Sequence, residues 1–501
     1  MQRQRLRGLH RWAGLVACAG LLMWSLSGLL HPVMTRLQPP PATRAAPTHV
    51  AQLDLALAPA AAMARAGVDF VDTIRVVSWP QGSFYQLALP GRSELQYLDV
   101  NTAQVLDGGD AAYAQYLARH FLGDAESAVT AVERVTRFDS EYSEVNRLLP
   151  VYRVRFGRDD GMRAYVDTAS SRLATLTDNR KAVLSRLFTN LHTWKFLSGE
   201  PRLRLALMGL LVAAIVLTGV LGAWVFARDF RRRHDGAPLQ RWHRRLGIGV
   251  ALTTVFLGLS GGHHLLREIG QHPPETPPRD VGYAAKAFTE PPGGFLKALN
   301  REGVQDITAV RIDTEAVYRI TYATQSTATT AHAVSDGHAS HAPAGRGIKA
   351  VTEQRWIRAR DGVELPDGAR RHALSLARIF SGAAPEAIAS LSEQKHFDGE
   401  YGFAFKRLPV VRVDYATPGR PRDYLDLRTS TLAARLGAAD AAEAWTFDYL
   451  HKFEWITPWS PWARDAVAMT FAIGNAAVAV MGLWLWTRRW RKRPARGGSV
   501  D

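Results

Sequence analysis

The sequence predicts a membrane α-helical bundle of four transmembrane helices carrying two extracytoplasmic α+β domains, the whole internally duplicated. Three observations predict it: four long apolar runs, arginine and lysine crowded on one side of those runs, and short motifs that recur along the chain. Apolar residues make up 47% of the 501 residues and charged residues 22%. These ordinary averages conceal how far the apolar residues are gathered into the runs. The net charge of +16 lies largely beside them. Cytoplasmic flanks of membrane helices therefore explain it, and no nucleic-acid motif or partner is expected.

The runs cover 15–30, 203–226, 246–266 and 463–486. About 20 apolar residues, rising 1.5 Å each, cross a hydrocarbon core about 30 Å thick. The second and fourth runs meet this alone, and the first and third do so with polar flanks among the headgroups. The first run has a basic leader but no clear small-x-small cleavage site, so it reads as a span and not a removed signal. Arg3, Arg5, Arg7 and Arg11 precede it. Arg228, Arg231, Arg232, Arg233, Arg241, Arg244 and Arg245 lie around the link between runs two and three. Arg488, Arg489, Arg491, Lys492 and Arg493 follow the last. Basic residues near helix ends mark the cytoplasmic side, so both termini are expected there, in a bacterial inner membrane.

The expected order is a transmembrane helix over 10–32, an outward domain over 33–200, a helix over 201–228 and a cytoplasmic loop over 229–241. A helix over 242–267, a second outward domain over 268–460, a helix over 461–487 and a basic tail over 488–501 complete it. Trp455, Trp459 and Trp462, just before the last helix, suit an interfacial aromatic belt.

Two offsets reveal the duplication. At 233 residues, His10 falls on His243, Gly14 on Gly247, Ser27 and Gly28 on Ser260 and Gly261, and His31 on His264. At 259 residues, Phe138 and Asp139 fall on Phe397 and Asp398, Leu149 and Pro150 on Leu408 and Pro409, Arg153 on Arg412, and His192 on His451. The stretch 323–346, rich in Ala, Thr, Ser, Gly and His, reads as a flexible insertion that accounts for the change of offset. Its His332, His338 and His341 read as solvated loop residues. Alternation over 149–156 and 408–415 predicts half-buried strands, with second strands over 163–167 and 422–426. Helices are expected near 111–122 and 370–380.

Six histidines thus occupy repeated positions: His10, His31 and His192, matched by His243, His264 and His451. The first two of each set are 21 residues apart, about 31 Å along a helix. This predicts one tier of histidine at each membrane face. A single interfacial histidine is unremarkable, but ionisable groups kept at six symmetric positions beside spans are functional candidates. Cys18, the only cysteine, leaves no thiolates for a zinc or iron–sulfur site. No carboxylate accompanies the first-helix motifs, which disfavours a di-iron site. No Gly-rich nucleotide turn is present. Imidazoles facing one another across a bundle suit haem iron, which takes an axial ligand from each side. All six are therefore candidate cofactor-binding residues, as axial ligands of haem b, and two haems are expected. Pairing within halves, His31 with His192 and His264 with His451, competes with pairing across them. Gly14, Gly28, Gly247, Gly249, Gly258 and Gly261 are candidates for making room. Arg11, Arg244 and Arg245 read either as propionate partners or as cytoplasmic anchors.

The runs Leu9-His10-Arg11-Trp12-Ala13-Gly14-Leu15 and Trp242-His243-Arg244-Arg245-Leu246-Gly247-Ile248, with Leu191-His192-Thr193-Trp194-Lys195-Phe196-Leu197 before the second span, resemble the PepSY-associated transmembrane family. The resemblance covers nearly the whole chain and implies PepSY-like outward domains. It also implies likeness to iron-regulated membrane proteins and ferric-siderophore reductases that carry two b haems. A membrane reductase is then expected, taking electrons from an unidentified cytoplasmic or membrane donor to periplasmic ferric iron or a ferric siderophore. The alternative is a non-enzymatic membrane anchor whose PepSY-like domains bind or inhibit a periplasmic partner or peptidase. That reading leaves the six histidines unexplained. A transporter is disfavoured, because no charged residue lies central to the spans.

Overall fold

The computed structural model describes residues 2–47, 56–139, 141–230, 237–270, 282–291, 304–324, 351–402 and 405–491. Among them, four helices are long and apolar enough to cross a membrane. They are α1 (Gln2–Arg36), α5 (Pro201–Arg228), α6 (Pro238–Gly270) and α9 (Pro461–Arg491). Three of them begin on proline, whose fixed φ and missing N–H suit a first helical turn. α1 packs against α5 and α9, and α6 packs against the same two. α1 and α6 therefore stand at opposite corners of the bundle.

Small residues set the helix spacing. A Cβ on Gly219 would lie 2.9 Å from Val255, one on Gly258 2.7 Å from Val216, and one on Gly474 2.7 Å from Val250. Without a hydrophobic drive between helices in lipid, such close approaches and polar contacts hold a bundle together. One polar contact is the buried hydrogen bond from Thr254 Oγ1 to Asn475 Oδ1, 2.6 Å, joining α6 to α9. Large apolar side chains such as Leu210, Leu252 and Trp484 point outward, as a lipid-facing surface requires.

The strand-rich part lies at one end of the bundle. Strands β2 (Thr73–Trp79), β3 (Gly82–Ala88) and β4 (Gln96–Asp99) join β10 (Val304–Ile312), β11 (Glu315–Thr324) and β12 (Val351–Arg358) in one six-stranded antiparallel sheet, ordered β12-β11-β10-β2-β3-β4. The sequence suggests two separate small units. In the structure β2 pairs directly with β10, with Ile74 opposite Ala309, Arg75 opposite Thr308 and Val76 opposite Ile307. Strand β11 runs through Thr324, so the first residues of the expected insertion are strand. The remainder, with His332, His338 and His341, lies outside the described residues, as do Arg231, Arg232, Arg233, Lys492 and Arg493.

Two four-stranded sheets complete the architecture. One contains β5 (Val129–Val135), β6 (Val151–Phe156), β7 (Arg163–Asp167) and β8 (Arg172–Thr177). The other contains β13 (Ile388–Gln394), β14 (Val410–Tyr415), β15 (Arg422–Asp426) and β16 (Thr431–Leu436). Helix α3 (Gly109–Leu122) fills the space between the first four-stranded sheet and the β2–β4 side, burying Tyr113, Leu117 and Phe121 against Trp79, Tyr97, Tyr152 and Val154. Helix α7 (Gly368–Ser381) does the same in the second half.

This sandwiching corrects the expected alternation of β6. Tyr152, Val154 and Phe156 face α3, while Val151 packs on the other side with Tyr142 and Tyr165. Both faces are covered, and the strand is buried almost throughout. Its counterpart β14 is buried at Val410 and Val413 only.

Short helices return the chain to the bundle. α4 (Asn179–His192) is capped by the Asp178 carboxylate, which accepts from the Lys181 amide at 2.7 Å, a standard N-terminal cap. α8 (Ala438–Thr446) continues into a π-helical turn, Phe447–His451. Two residues beyond each terminal histidine, buried Trp194 and Phe453 adopt left-handed φ of 54° and 57° and turn the chain toward the next span.

Candidate functional site

The six repeated histidines gather in two places. Far from the sheets, His10 on α1 and His243 on α6 lie within electrostatic reach of each other from opposite corners of the bundle. Each ring lies over a glycine of the neighbouring helix. A Cβ on Gly222 of α5 would come 3.2 Å from His10 Cε1, and one on Gly482 of α9 would come 3.5 Å from His243 Cε1. Neither Nδ1 makes a full hydrogen bond among the described residues, but the backbone at Thr218 lies beside the His10 imidazole and that at Val478 beside the His243 imidazole.

The other four histidines cluster next to the strand-rich part. The His192 and His451 rings meet edge to face, centroids 5.9 Å apart, and His31 and His264 lie within electrostatic reach of both. Phe188 touches both His31 (5.6 Å) and His192 (4.9 Å). Phe447 likewise touches both His264 (6.1 Å) and His451 (5.1 Å). The direct ring contact thus crosses between halves, while within each half a phenylalanine contacts both histidines. Burial, and then the nearby His31 and His264, push the His192 imidazole down to about 4. Burial and His192 push His451 down to about 3. Both are neutral at neutral pH, the state in which imidazole binds a metal.

The halves hold their histidines differently. Ser27 Oγ hydrogen-bonds His192 Nδ1 at 2.9 Å, and Trp24 Nε1 donates to the His192 carbonyl at 2.9 Å. This leaves His192 Nε2 as the nitrogen open to a ligand. At the equivalent place in the second half, Ser260 Oγ and His451 Nδ1 are both buried and unpartnered. His264 Nδ1 instead meets Glu443 Oε1 at 2.6 Å, and Arg267 Nε donates to the same carboxylate at 3.3 Å. Among the described residues, no three His, Cys, Asp or Glu side chains converge as a set able to hold a bare metal ion.

The model of the PepSY-associated TM region matches residues 7–489. The chain belongs to that family. A search of the curated proteins finds no match. In this PepSY-associated membrane protein the repeated histidines sit where helices of the two halves meet.

Several contacts of the PepSY-associated bundle go beyond the sequence reading. Gly222 and Gly482 are on α5 and α9, distant in sequence from the histidines they seat. Phe188 and Phe447 stand four residues before His192 and His451, a visible repeat that reads as ordinary helix core. Ser27 and Ser260 are legible only as small residues. Conversely, Gly258 makes a helix contact with Val216, and Gly14 and Gly28 make ordinary contacts with Thr218 and Ala472. Among the described residues, a Cβ placed on Gly247, Gly249 or Gly261 meets nothing within 4 Å beyond its own stretch of helix. The arginines beside His10 and His243 have protein contacts of their own. Arg11 Nε donates to the Arg7 carbonyl, Arg244 donates to the Asp229 carbonyl, and Arg245 lies over Trp242.

Proposed function

We propose that this protein is a haem-b electron carrier that spans the bacterial inner membrane and reduces a ferric substrate outside it. The observation that carries the reading is the two-tier arrangement. His10 lies within electrostatic reach of His243 at one end of the bundle, and His192 meets His451 at the other. The paired imidazoles offer the two-sided donation that haem iron takes. A haem at each tier supplies reversible one-electron chemistry. The chain's own work is to orient the rings. Gly222 and Gly482 let the imidazoles approach, Ser27 fixes His192, and Glu443 fixes His264. Phe188 and Phe447 favour axial pairing across the halves over pairing within them. Ferric iron or a ferric siderophore as substrate rests on the family resemblance alone.

We also read the chain as two copies of one helix–domain–helix unit. The four-stranded sheets, α3 and α7, and Trp194 and Phe453 all recur at an offset of 259 residues, which supports this. Our reading puts both termini in the cytoplasm, and the basic residues at the end of the bundle away from the sheets, where Arg7 pairs with Asp229, support it. Reporter fusions at Asp235 and Gly337 are expected on opposite sides of the membrane. Activity of one reporter at both positions would overturn the orientation.

The decisive test of function is a reduced-minus-oxidised spectrum of the full chain purified in detergent. Sharp b-type bands are expected, and His10→Ala or His243→Ala should remove one haem while the strand-rich part stays folded. A colourless preparation supports the membrane-anchor alternative instead. Unchanged haem content in both variants would exclude the His10–His243 site.

A further inference from the structure

Where the two halves share a sheet, the interior is crowded with arginine. Arg75 on β2 donates through Nε to Asp306 on β10, through Nη1 to the Thr168 and Ala169 carbonyls at 3.3 and 3.1 Å, and through Nη2 to Ser171 Oγ at 2.7 Å. Arg319 on β11 shares Asp306 at 2.6 Å and reaches Thr308 Oγ1 at 3.2 Å, yet its buried Nε has no partner. Arg172 takes Asp426 at 2.5 Å, with Arg407 at 3.8 Å from the same carboxylate. Asp306, Arg319 and Asp426 are each at most 2% exposed.

Arg428 enters the same region from the turn between β15 and β16. It lies within electrostatic reach of Asp306, Arg75, Arg172 and Arg319. Among the described residues its guanidinium makes no hydrogen bond or ion pair, and the residue is half-buried. The carboxylates nearby are already taken. Asp306 serves two guanidiniums, Asp426 serves two, and Asp167 accepts from Ser170 Oγ and the Ala169 amide. Five guanidiniums therefore face three carboxylates. Arginine cannot shed its proton to relieve the imbalance, and an uncompensated charge in such a place is costly. The turn does not need arginine to form. The equivalent position in the first half is Ala169, in a turn of the same length.

We propose that Arg428, backed by Arg75 and Arg319, binds a small oxyanion where the two halves of the strand-rich part meet. The guanidinium fork matches the paired oxygens of phosphate, sulfate or a carboxylate. Such an anion completes the charge balance and ties the halves together. The site is independent of the histidine tiers.

The test uses the full-length protein in lipid-free detergent, titrated with inorganic phosphate against sodium chloride of equal ionic strength. Isothermal titration should show one saturable phosphate site per chain, displaced by sulfate, and the unfolding midpoint should rise with occupancy. Arg428→Met should weaken phosphate at least about tenfold, as loss of charge-assisted hydrogen bonds does. Arg428→Lys, which keeps the charge and loses the fork, should weaken it less. The two stability orders are diagnostic. In chloride Arg428→Met should be no less stable than the parent, since it removes an unbalanced charge. In saturating phosphate the parent should be the more stable. No saturable phosphate binding by the parent overturns the proposal. So does phosphate binding unchanged in both variants, or an Arg428→Met protein equally destabilised in both salts, which marks Arg428 as a structural partner of Asp306.

Discussion

Asp306→Ala is expected to destabilise the strand-rich part by about 3–5 kcal/mol, the cost of leaving a buried charge unpaired. Asp306 is 2% exposed and stands between Arg75 and Arg319. Its removal leaves the Arg75 guanidinium on β2 and the Arg319 guanidinium on β11 both buried beside the β2–β10 junction of the halves, with Arg428 nearby. Denaturant unfolding followed by the fluorescence of buried Trp79 and Trp356 reads the loss. Asp361→Ala, at a partly exposed ion pair with Arg358, should change stability by less than about 1 kcal/mol. Equal effects of the two substitutions would show that the central carboxylate does not hold the sheet together. Acid gives a second view. Burial pushes the Asp306 carboxyl up, but Arg75 and then Arg319 prevail and hold it well below the usual carboxylate range. The stability it contributes is complete above the unfolded-state pKa of about 3.9. It is lost as pH falls below that value toward the depressed one. The parent should therefore lose stability on acidification below about pH 4, and Asp306→Ala should lose less.

That network shows what sequence could and could not convey. The four spans were legible because a membrane crossing needs an uninterrupted apolar length, a property of consecutive residues. The recurring helix, strand and histidine positions were legible because equal spacings survive along a chain. The sheet that unites β2 with β10 was not, because pairing between strands more than 200 residues apart depends on which edges are free once each half has folded. Arg75 and Asp306 have no common motif. Arg75 falls opposite Thr308, and only the antiparallel register brings its guanidinium to the Asp306 carboxylate. The histidine tiers follow the same rule. That His10 and His31 lie on the first span and His243 and His264 on the third could be read from the sequence; the helix and the π-helical turn that carry His192 and His451 could not. That Phe188 contacts both His31 and His192, and that Ser27 anchors one half while its counterpart Ser260 has no partner, depends on side-chain packing.

Gly222→Leu is expected to cost the protein one of its two proposed haems. The His10 imidazole lies directly over this glycine, and even the first carbon of a side chain there would stand 3.2 Å from Cε1. Packed helices give little room for relief. A leucine must therefore displace the ring, and a proposed axial ligand displaced by an ångström would be a ligand lost. Gly209→Leu, on the same helix where a Cβ meets nothing within 4 Å, should retain both haems. Gly482→Ala, whose Cβ would meet His243 at an ordinary 3.5 Å, should be tolerated. The pyridine haemochrome content per chain measures the outcome, with circular dichroism confirming that the helices persist. Because Gly222 offers no donor atom and the substitution leaves every histidine in place, a selective loss would show that space over α5, and not the imidazole alone, defines the site. Full haem content in the Gly222→Leu protein would mean that His10 ligates from another direction or not at all.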